Sequence, residues 1–283
     1  MGIIIDAMTT SSAHRHRQLR TWFQHPAGQA VLARERAWLD ALLPDLFGYY
    51  LVEVGNPGCP ERLRATRVRH AFRMALGGSD WDAGAVPTVH GEADALPFES
   101  EAVDVLVLSH VLEFEDDPGA VLAEAERVLR PEGHLLVLSF NSTSHWQLWR
   151  WLEPARGAQR PPWTGQFYSG GRLGRWLDGL GFDTLQRASL MFRPPIQSSH
   201  WLARWLELEA WGERLLPAVG GVNVLLARKR VATITPIKPR RWSIRAGARA
   251  LAPRPLAGAR DEGCQRSGDA LSCAPVRTTA QRE

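Results

Sequence analysis

The sequence is poorest in the features that would place it in a membrane, on a metal or in an oxidising compartment. No apolar run in its 283 residues approaches the roughly 20 that a membrane-spanning helix needs. The first 20 residues hold a single three-residue apolar run, Ile3-Ile4-Ile5, too short for the centre of a secretory leader. The three cysteines, Cys59, Cys264 and Cys273, are too few and too scattered for a disulfide framework or a zinc site. The nine histidines are dispersed and form no ligand cluster. These absences predict a cytoplasmic protein without a resident metal. Lysine is nearly missing too: Lys229 and Lys238 are the only two among 34 basic residues. A GC-rich coding sequence explains that bias better than selection for phosphate binding.

What is present is enough for one sizeable core, with 45% hydrophobic and 23% charged residues. The net charge of +4 is unevenly placed. Residues 234–283 carry ten basic and four acidic side chains, which leaves about −2 on the rest. That segment is rich in Pro, Arg, Ala and Gly, lacks periodicity, and reads as a basic, mostly disordered tail. The boundaries expected are a disordered N-terminus over 1–16, one domain over 17–233 and the tail over 234–283.

Within the domain, residues 17–43 read as helix, with Pro26 able to start one and Ala30, Val31, Leu32, Trp38, Leu39, Leu42 and Leu43 as its apolar stripe. Residues 49–55 form a short buried strand that runs into a Gly-Asn-Pro-Gly turn, and 67–76 give a weaker strand signal. The continuous β-branched run 103–109 suits a parallel strand covered on both faces. Asp117-Pro118 then opens a helix over 119–129, and 134–140 is another buried strand. Residues 169–180 and 201–216 read as helices, and 220–227 as a last strand, ending in Arg228-Lys229-Arg230 as an edge or terminal strand does. This alternation predicts crossover units and an α/β fold: a Rossmann-like, mostly parallel seven-stranded sheet with helices on both faces.

Ligands of such sheets bind outside the carboxyl ends of the strands. Three ends stand out. After the first strand come Glu53, Gly55, Asn56 and Gly58, where glycine lets backbone approach a ligand. In residues 91–98 Glu92 is followed by Ala93, Leu96 and Phe98, a carboxylate beside an apolar wall that suits adenine. Ser109 and His110 sit just past a buried strand.

Residues 91–140, GEADALPFESEAVDVLVLSHVLEFEDDPGAVLAEAERVLRPEGHLLVLSF, closely resemble the central block of class I S-adenosylmethionine-dependent methyltransferases of the type 11 group. Those proteins carry Gly-Asp-Ala-x-x-Leu-Pro-Phe, a Phe-Asp-x-Val strand and His-Val-Leu-Glu. They continue with Asp-Pro, a helix and Arg-Val-Leu-x-Pro-Gly-Gly. Trp22 and the segment 220–231 further resemble a bacterial subgroup, so the likeness covers most of residues 18–242. The resemblance implies S-adenosyl-L-methionine as cofactor. It assigns Glu53 and Gly55 to the cofactor loop, Glu92 and Ala93 to adenine, and Ser109 and His110 to the methionine end.

The departures from the family pattern are local. Pro57 and Cys59 stand where the loop has its second and third glycines, and Gly58 is out of register. The acidic residue expected about 20 residues beyond the first strand to hold the ribose is missing, with Asp80 and Asp82 somewhat later. Glu132 replaces a turn glycine.

Methyl transfer from a sulfonium needs positioning and exclusion of water, and a base only if the acceptor must lose a proton. His110, with an ordinary pKa near 6.5, is the candidate base, with a cofactor contact as its equal alternative. Asn141 and His145 are candidates for facing the substrate. Eight of the twelve tryptophans lie between Trp146 and Trp211, and core packing is favoured over a lid for an apolar acceptor. That region and the basic tail would also suit weak contact with a membrane surface. A nicotinamide dehydrogenase leaves the 91–98 block unexplained, and no Asn-Pro-Pro-Tyr or Asp-Pro-Pro-Tyr signature supports specific nucleic-acid methylation. The expected partner is a small or apolar acceptor. The alternative is a catalytically weak or non-catalytic cofactor-binding protein, either pseudo-enzyme or sensor.

Overall fold

The computed structural model describes residues 2–55, 62–76, 86–152, 164–193 and 218–231. The chain divides into two units, Met1–Ile234 and Thr235–Glu283, and all described residues belong to the first. The expected tail, the 201–216 helix and loop residues Asn56 and Gly58 lie outside the described residues.

Among the described residues seven strands make one sheet: β1 (Tyr50–Val54), β2 (His70–Leu76), β3 (Thr88–Gly91), β4 (Val103–Ser109), β5 (Leu129–Phe140), β6 (Phe182–Leu190) and β7 (Val222–Lys229). Their order is β3-β2-β1-β4-β5-β7-β6. The first five run parallel, and β7 is antiparallel to both β5 and β6. One expectation is corrected here. β7 is last in sequence but lies inside the sheet, which is why nearly all its residues are buried. The strand on that edge is β6, whose middle residues are exposed.

Alternation along the strands builds two cores. Leu51, Val105, Val107, Leu136 and Leu138 point to one face, where α1 (Gly2–Phe23) and α2 (Pro26–Leu42) lay Leu19, Trp22, Val31 and Leu39 over them. Val52, Val54, Leu106, Leu108, Leu135 and Val137 point to the other, covered by Val121 and Leu122 of α3 (Pro118–Val128) and Leu173 and Leu177 of α5 (Gly170–Gly179). Burying each such Val or Leu side chain contributes about 2 kcal/mol. A short helix, α4 (Trp146–Leu152), follows β5, and its Trp146 is fully buried in the first core.

The single helix expected over 17–43 is two. Pro26 does start α2, with its fixed φ in the first turn. At Gly28 a Cβ would sit 2.5 Å from the Phe23 Cα, so glycine allows α1 and α2 to approach backbone to backbone. α1 begins at Gly2, within the segment 1–16. Its middle turns are tied to the segment after β4. Ser12 Oγ donates to Glu115 Oε1 at 2.8 Å, His16 Nε2 lies 2.7 Å from the same oxygen, and Arg15 pairs with Asp116 at 2.7 Å.

Candidate functional site

Because β1 to β5 run parallel, their carboxyl ends share one edge. It carries Glu53 and Gly55 at the end of β1, Glu92 after β3, Ser109 and His110 at the end of β4, and Asn141 after β5. The sequence-expected residues that are described are thus brought to a common edge. Gly55 has φ +91°, and a Cβ there would stand 2.4 Å from the Ser109 carbonyl oxygen. Only glycine lets the ends of β1 and β4 come this close. Its N–H donates to the Met74 carbonyl at 3.2 Å, which fixes the turn against β2 as well.

Glu92 is exposed at the end of β3, while Ala93 and Leu96 beside it are buried in the second core. The Leu96 N–H donates to Glu124 Oε2 at 3.0 Å, and the Leu96 carbonyl accepts from Arg127 Nη2 at 3.0 Å. Two residues of α3 therefore hold the segment that bears Glu92. Leu96 supports this wall from beneath.

Glu53 does not face outward. It lies on the α2 side of the sheet, with Arg73 of β2 and Ser109 of β4 on the same face by register. Ser109 Oγ donates to its Oε1 at 3.1 Å, Arg62 Nη1 stands 3.6 Å from that oxygen, and Arg73 Nε stands 3.4 Å from Oε2. Arg62 Nη2 reaches on to Glu35 Oε2 of α2 at 2.9 Å. Glu35 Oε1 accepts from His110 Nε2 at 2.7 Å, and His110 Nδ1 donates to Glu113 Oε1 at 3.1 Å. The Phe140 N–H donates to that last oxygen at 2.6 Å. Arg62, Arg73 and His110 thus face three carboxylates, Glu35, Glu53 and Glu113, all of them buried. Buried charges persist only when paired in this way.

His110 is where expectation and structure differ most. A neutral imidazole has one N–H, yet both of its ring nitrogens meet carboxylates, so both carry protons. Burial disfavours the cation, but the charges of Glu35 and Glu113 and their hydrogen bonds outweigh it, pushing His110 up to about 9. For Glu35 burial likewise opposes ionisation. The nearby His110 and Arg62 outweigh it and hold Glu35 below the ordinary carboxylate range. An imidazolium wedged between two carboxylates cannot accept a proton at neutral pH, so the expected pKa near 6.5 is corrected, and with it the base role.

Asn141 and His145 turn out to be latches. Asn141 Nδ2 donates to the carbonyls of Ala218 and Gly220 at 2.9 and 2.8 Å, and its Oδ1 accepts from Thr143. His145 Nε2 and Trp146 Nε1 both reach the Arg193 carbonyl, at 3.0 and 2.8 Å. Trp22 and Trp146 pack on Phe140 inside the core, and Arg172 lies over Trp176 with 4.6 Å to the ring centroid. Trp163, Trp201, Trp205 and Trp211 fall outside what is described, as do Asp80 and Asp82. Among the described residues no group of three His, Cys, Asp or Glu could hold a metal ion, and no helix is long and apolar enough to cross a membrane.

Sequence reasoning missed Glu35, Arg62, Arg73 and Glu113. A signal existed for Glu35, which stands four residues from both Val31 and Leu39 on the buried side of α2. A carboxylate inside an apolar stripe requires a buried cation.

The family described as "Methyltransferase domain" matches residues 64–137. YafS of Escherichia coli K12 is 27% identical over 76% of this chain and 82% of its own length. The ubiquinone/menaquinone biosynthesis C-methyltransferase UbiE of Shewanella sp. ANA-3 is 39% identical over 22% of this chain and 25% of its own. A Thermotoga maritima S-adenosylmethionine-dependent methyltransferase, described as a possible histamine N-methyltransferase, shares the fold. Its TM-score is 0.57 at 19% identity, over 79% of this chain and all of that one. The chain thus matches the methyltransferase domain over residues 64–137 and shares the fold of an S-adenosylmethionine-dependent methyltransferase.

Proposed function

We propose that this chain binds S-adenosylmethionine at the carboxyl ends of β1, β3 and β4 and transfers its methyl group to a small or apolar acceptor. The observation that carries this reading is the Gly55 turn, where the absence of a side chain brings the β1 end against the Ser109 carbonyl at the edge where such sheets bind ligands. The residues present fit the cofactor. Gly55 sets the turn that brings the β1 end to this edge, and exposed Glu92 can accept from the exocyclic amine of adenine. Buried Ala93 and Leu96 back that contact. Glu53 contributes indirectly, by fixing Ser109 and the turn at Arg62.

When bound, the cofactor supplies an electrophilic methyl group on a sulfonium. The chain's own task is then to orient the acceptor and exclude water. Phe114, Phe140 and Phe167, all buried around the ends of β4 and β5, provide apolar surroundings for that end of the site. His110 is held as an imidazolium, so the acceptor best suited to this site already carries a free lone pair at neutral pH. For the tryptophan-rich region core packing is the preferred reading, in line with buried Trp146, and weak membrane contact by that region and the tail is the alternative.

The test is calorimetric titration of the purified chain with S-adenosylmethionine and S-adenosylhomocysteine, beside Glu92→Ala. Micromolar binding weakened about tenfold by the substitution, about 1.4 kcal/mol, supports the reading. No binding by well-folded chain sinks it. Binding without methyl transfer to any acceptor in a screen would favour a sensor over an enzyme.

A further inference from the structure

The buried charges described above form a closed circuit. From Ser109 it passes to Glu53 at 3.1 Å, from Glu53 to Arg62 at 3.6 Å, from Arg62 to Glu35 at 2.9 Å and from Glu35 to His110 at 2.7 Å. The peptide bond from His110 back to Ser109 closes it. The circuit ties together the end of β1, the turn at residues 62–65, helix α2 and the end of β4. Glu35 is the only member that comes from outside the strands and turns of the edge, and it uses one oxygen for each neighbour: Oε1 for His110, Oε2 for Arg62.

His110 itself has φ +51°, a conformation that costs a non-glycine residue about 1–2 kcal/mol. Its N–H donates to the Leu138 carbonyl at 2.9 Å, and its ring lies between Phe23 of α1 and Phe140 of β5, at 5.3 and 4.3 Å between centroids. The groups facing the ring are therefore Glu35 from α2 with Arg62 behind it, Glu113 from its own segment, and two apolar rings. A strained residue persists when its surroundings over-determine it. Here the surroundings are two carboxylates gripping both ring nitrogens. Ser109, the residue whose carbonyl meets Gly55, is the next residue back in the chain.

We infer that Glu35 is a positioning residue for the cofactor. Without reaching the strand ends itself, it fixes the spacing of the β1 and β4 ends by holding His110 and Arg62 in place. This rests on the cofactor reading proposed above. Replacing Glu35 by Gln keeps the side chain's shape and an acceptor oxygen. It removes one negative charge, leaving Arg62, Arg73 and His110 facing only Glu53 and Glu113. His110 is the member able to shed a proton, and once neutral it can donate to only one of its two partners. The grip on the β4 end then depends on pH, whereas in the wild-type chain it does not across the neutral range.

The experiment measures the dissociation constant of S-adenosylhomocysteine for wild type and Glu35→Gln between pH 6 and pH 8.5, taken as a ratio so that titration of the ligand cancels. The expected ratio is small at pH 6 and grows to about tenfold by pH 8, the equivalent of about one pKa unit of coupling. A purely structural role lowers the melting temperature of the variant but leaves the ratio flat. A flat ratio therefore overturns the inference while the proposed function stands. No binding by the wild type overturns both.

Should the variant not fold, the wild-type chain carries the test with 5′-methylthioadenosine, which lacks the titrating amino acid group. Its affinity is expected to fall about tenfold as the His110 ring, followed by NMR, loses its second proton near pH 9. An affinity indifferent to that proton, or a ring already neutral at pH 7, overturns the inference.

Discussion

Gly55 and Ser109 are separated by the whole of β2 and β3 in sequence, yet a Cβ on Gly55 would lie 2.4 Å from the Ser109 carbonyl oxygen. The contact joins the neighbouring ends of β1 and β4, and Gly55 also has φ +91°. Replacing Gly55 by Ala adds a conformational cost of about 1–2 kcal/mol and forces apart two backbones that have no flexible side chain to yield. Overpacking of this kind costs about another 1–3 kcal/mol. Gly55→Ala is expected to unfold at markedly lower denaturant and to lose cofactor binding entirely. A variant with wild-type stability and binding would show that the two strand ends are not in this contact.

The pH dependence of stability follows from His110. Its pKa of about 9 in the folded chain exceeds the unfolded value near 6.5, so the folded state binds more protons between those limits. Its contribution is therefore fully present below pH 6.5 and is lost as pH rises through 9. The full difference amounts to about 3 kcal/mol. Urea titrations at pH 6.5 and pH 9.5 are expected to show a fall of that order in the wild type. In His110→Gln the fall should be much smaller, from a lower starting stability. Equal slopes in both chains would mean that another group sets the pH dependence.

Most of the sheet was legible because parallel strands covered on both faces read as nearly continuous apolar runs, as in VDVLVLS at 103–109 and HLLVLSF at 134–140. β6 was not. Its Thr184, Leu185, Gln186 and Arg187 are all exposed, and its strand character comes from pairing with β7 rather than from an apolar pattern. The edge that gathers the candidate residues followed from topology and was therefore readable. The ion circuit was not: Glu35 within its apolar stripe signals a buried charge, but not the partners it meets. Only folding brings Glu35 to His110, 75 residues away, and a sequence does not state which buried carboxylate meets which cation.

Helix α3 makes a smaller, separable prediction. Asp117 Oδ1 accepts from the N–H groups of Gly119 and Ala120 at 2.9 and 3.1 Å, with Pro118 in the first turn where no donor is needed. Asp117→Ala leaves both donors to water and is expected to cost about 1 kcal/mol. It should leave cofactor affinity unchanged at temperatures where the variant is folded. Differential scanning calorimetry beside calorimetric titration checks both halves, and a large loss of affinity would show that α3 is coupled to the site more tightly than its cap.

Glu132 supplies a prediction of opposite sign. It stands within β5 where the family pattern that the sequence resembles has glycine, and its φ is +65°. Its carboxylate pairs with Arg228 at 3.1 Å, but both side chains are exposed, and such a pair contributes about 0–1 kcal/mol. Glu132→Ala and Glu132→Gly both remove the pair, so the difference between them isolates the backbone. Alanine retains the left-handed cost of about 1–2 kcal/mol. Glycine escapes it and in exchange gives up about 0.5–1 kcal/mol through the greater freedom of its unfolded chain. Glu132→Gly is therefore expected to be the more stable of the two by about 1 kcal/mol, and close to the wild type. If instead alanine matches glycine, the turn relaxes to negative φ at no cost.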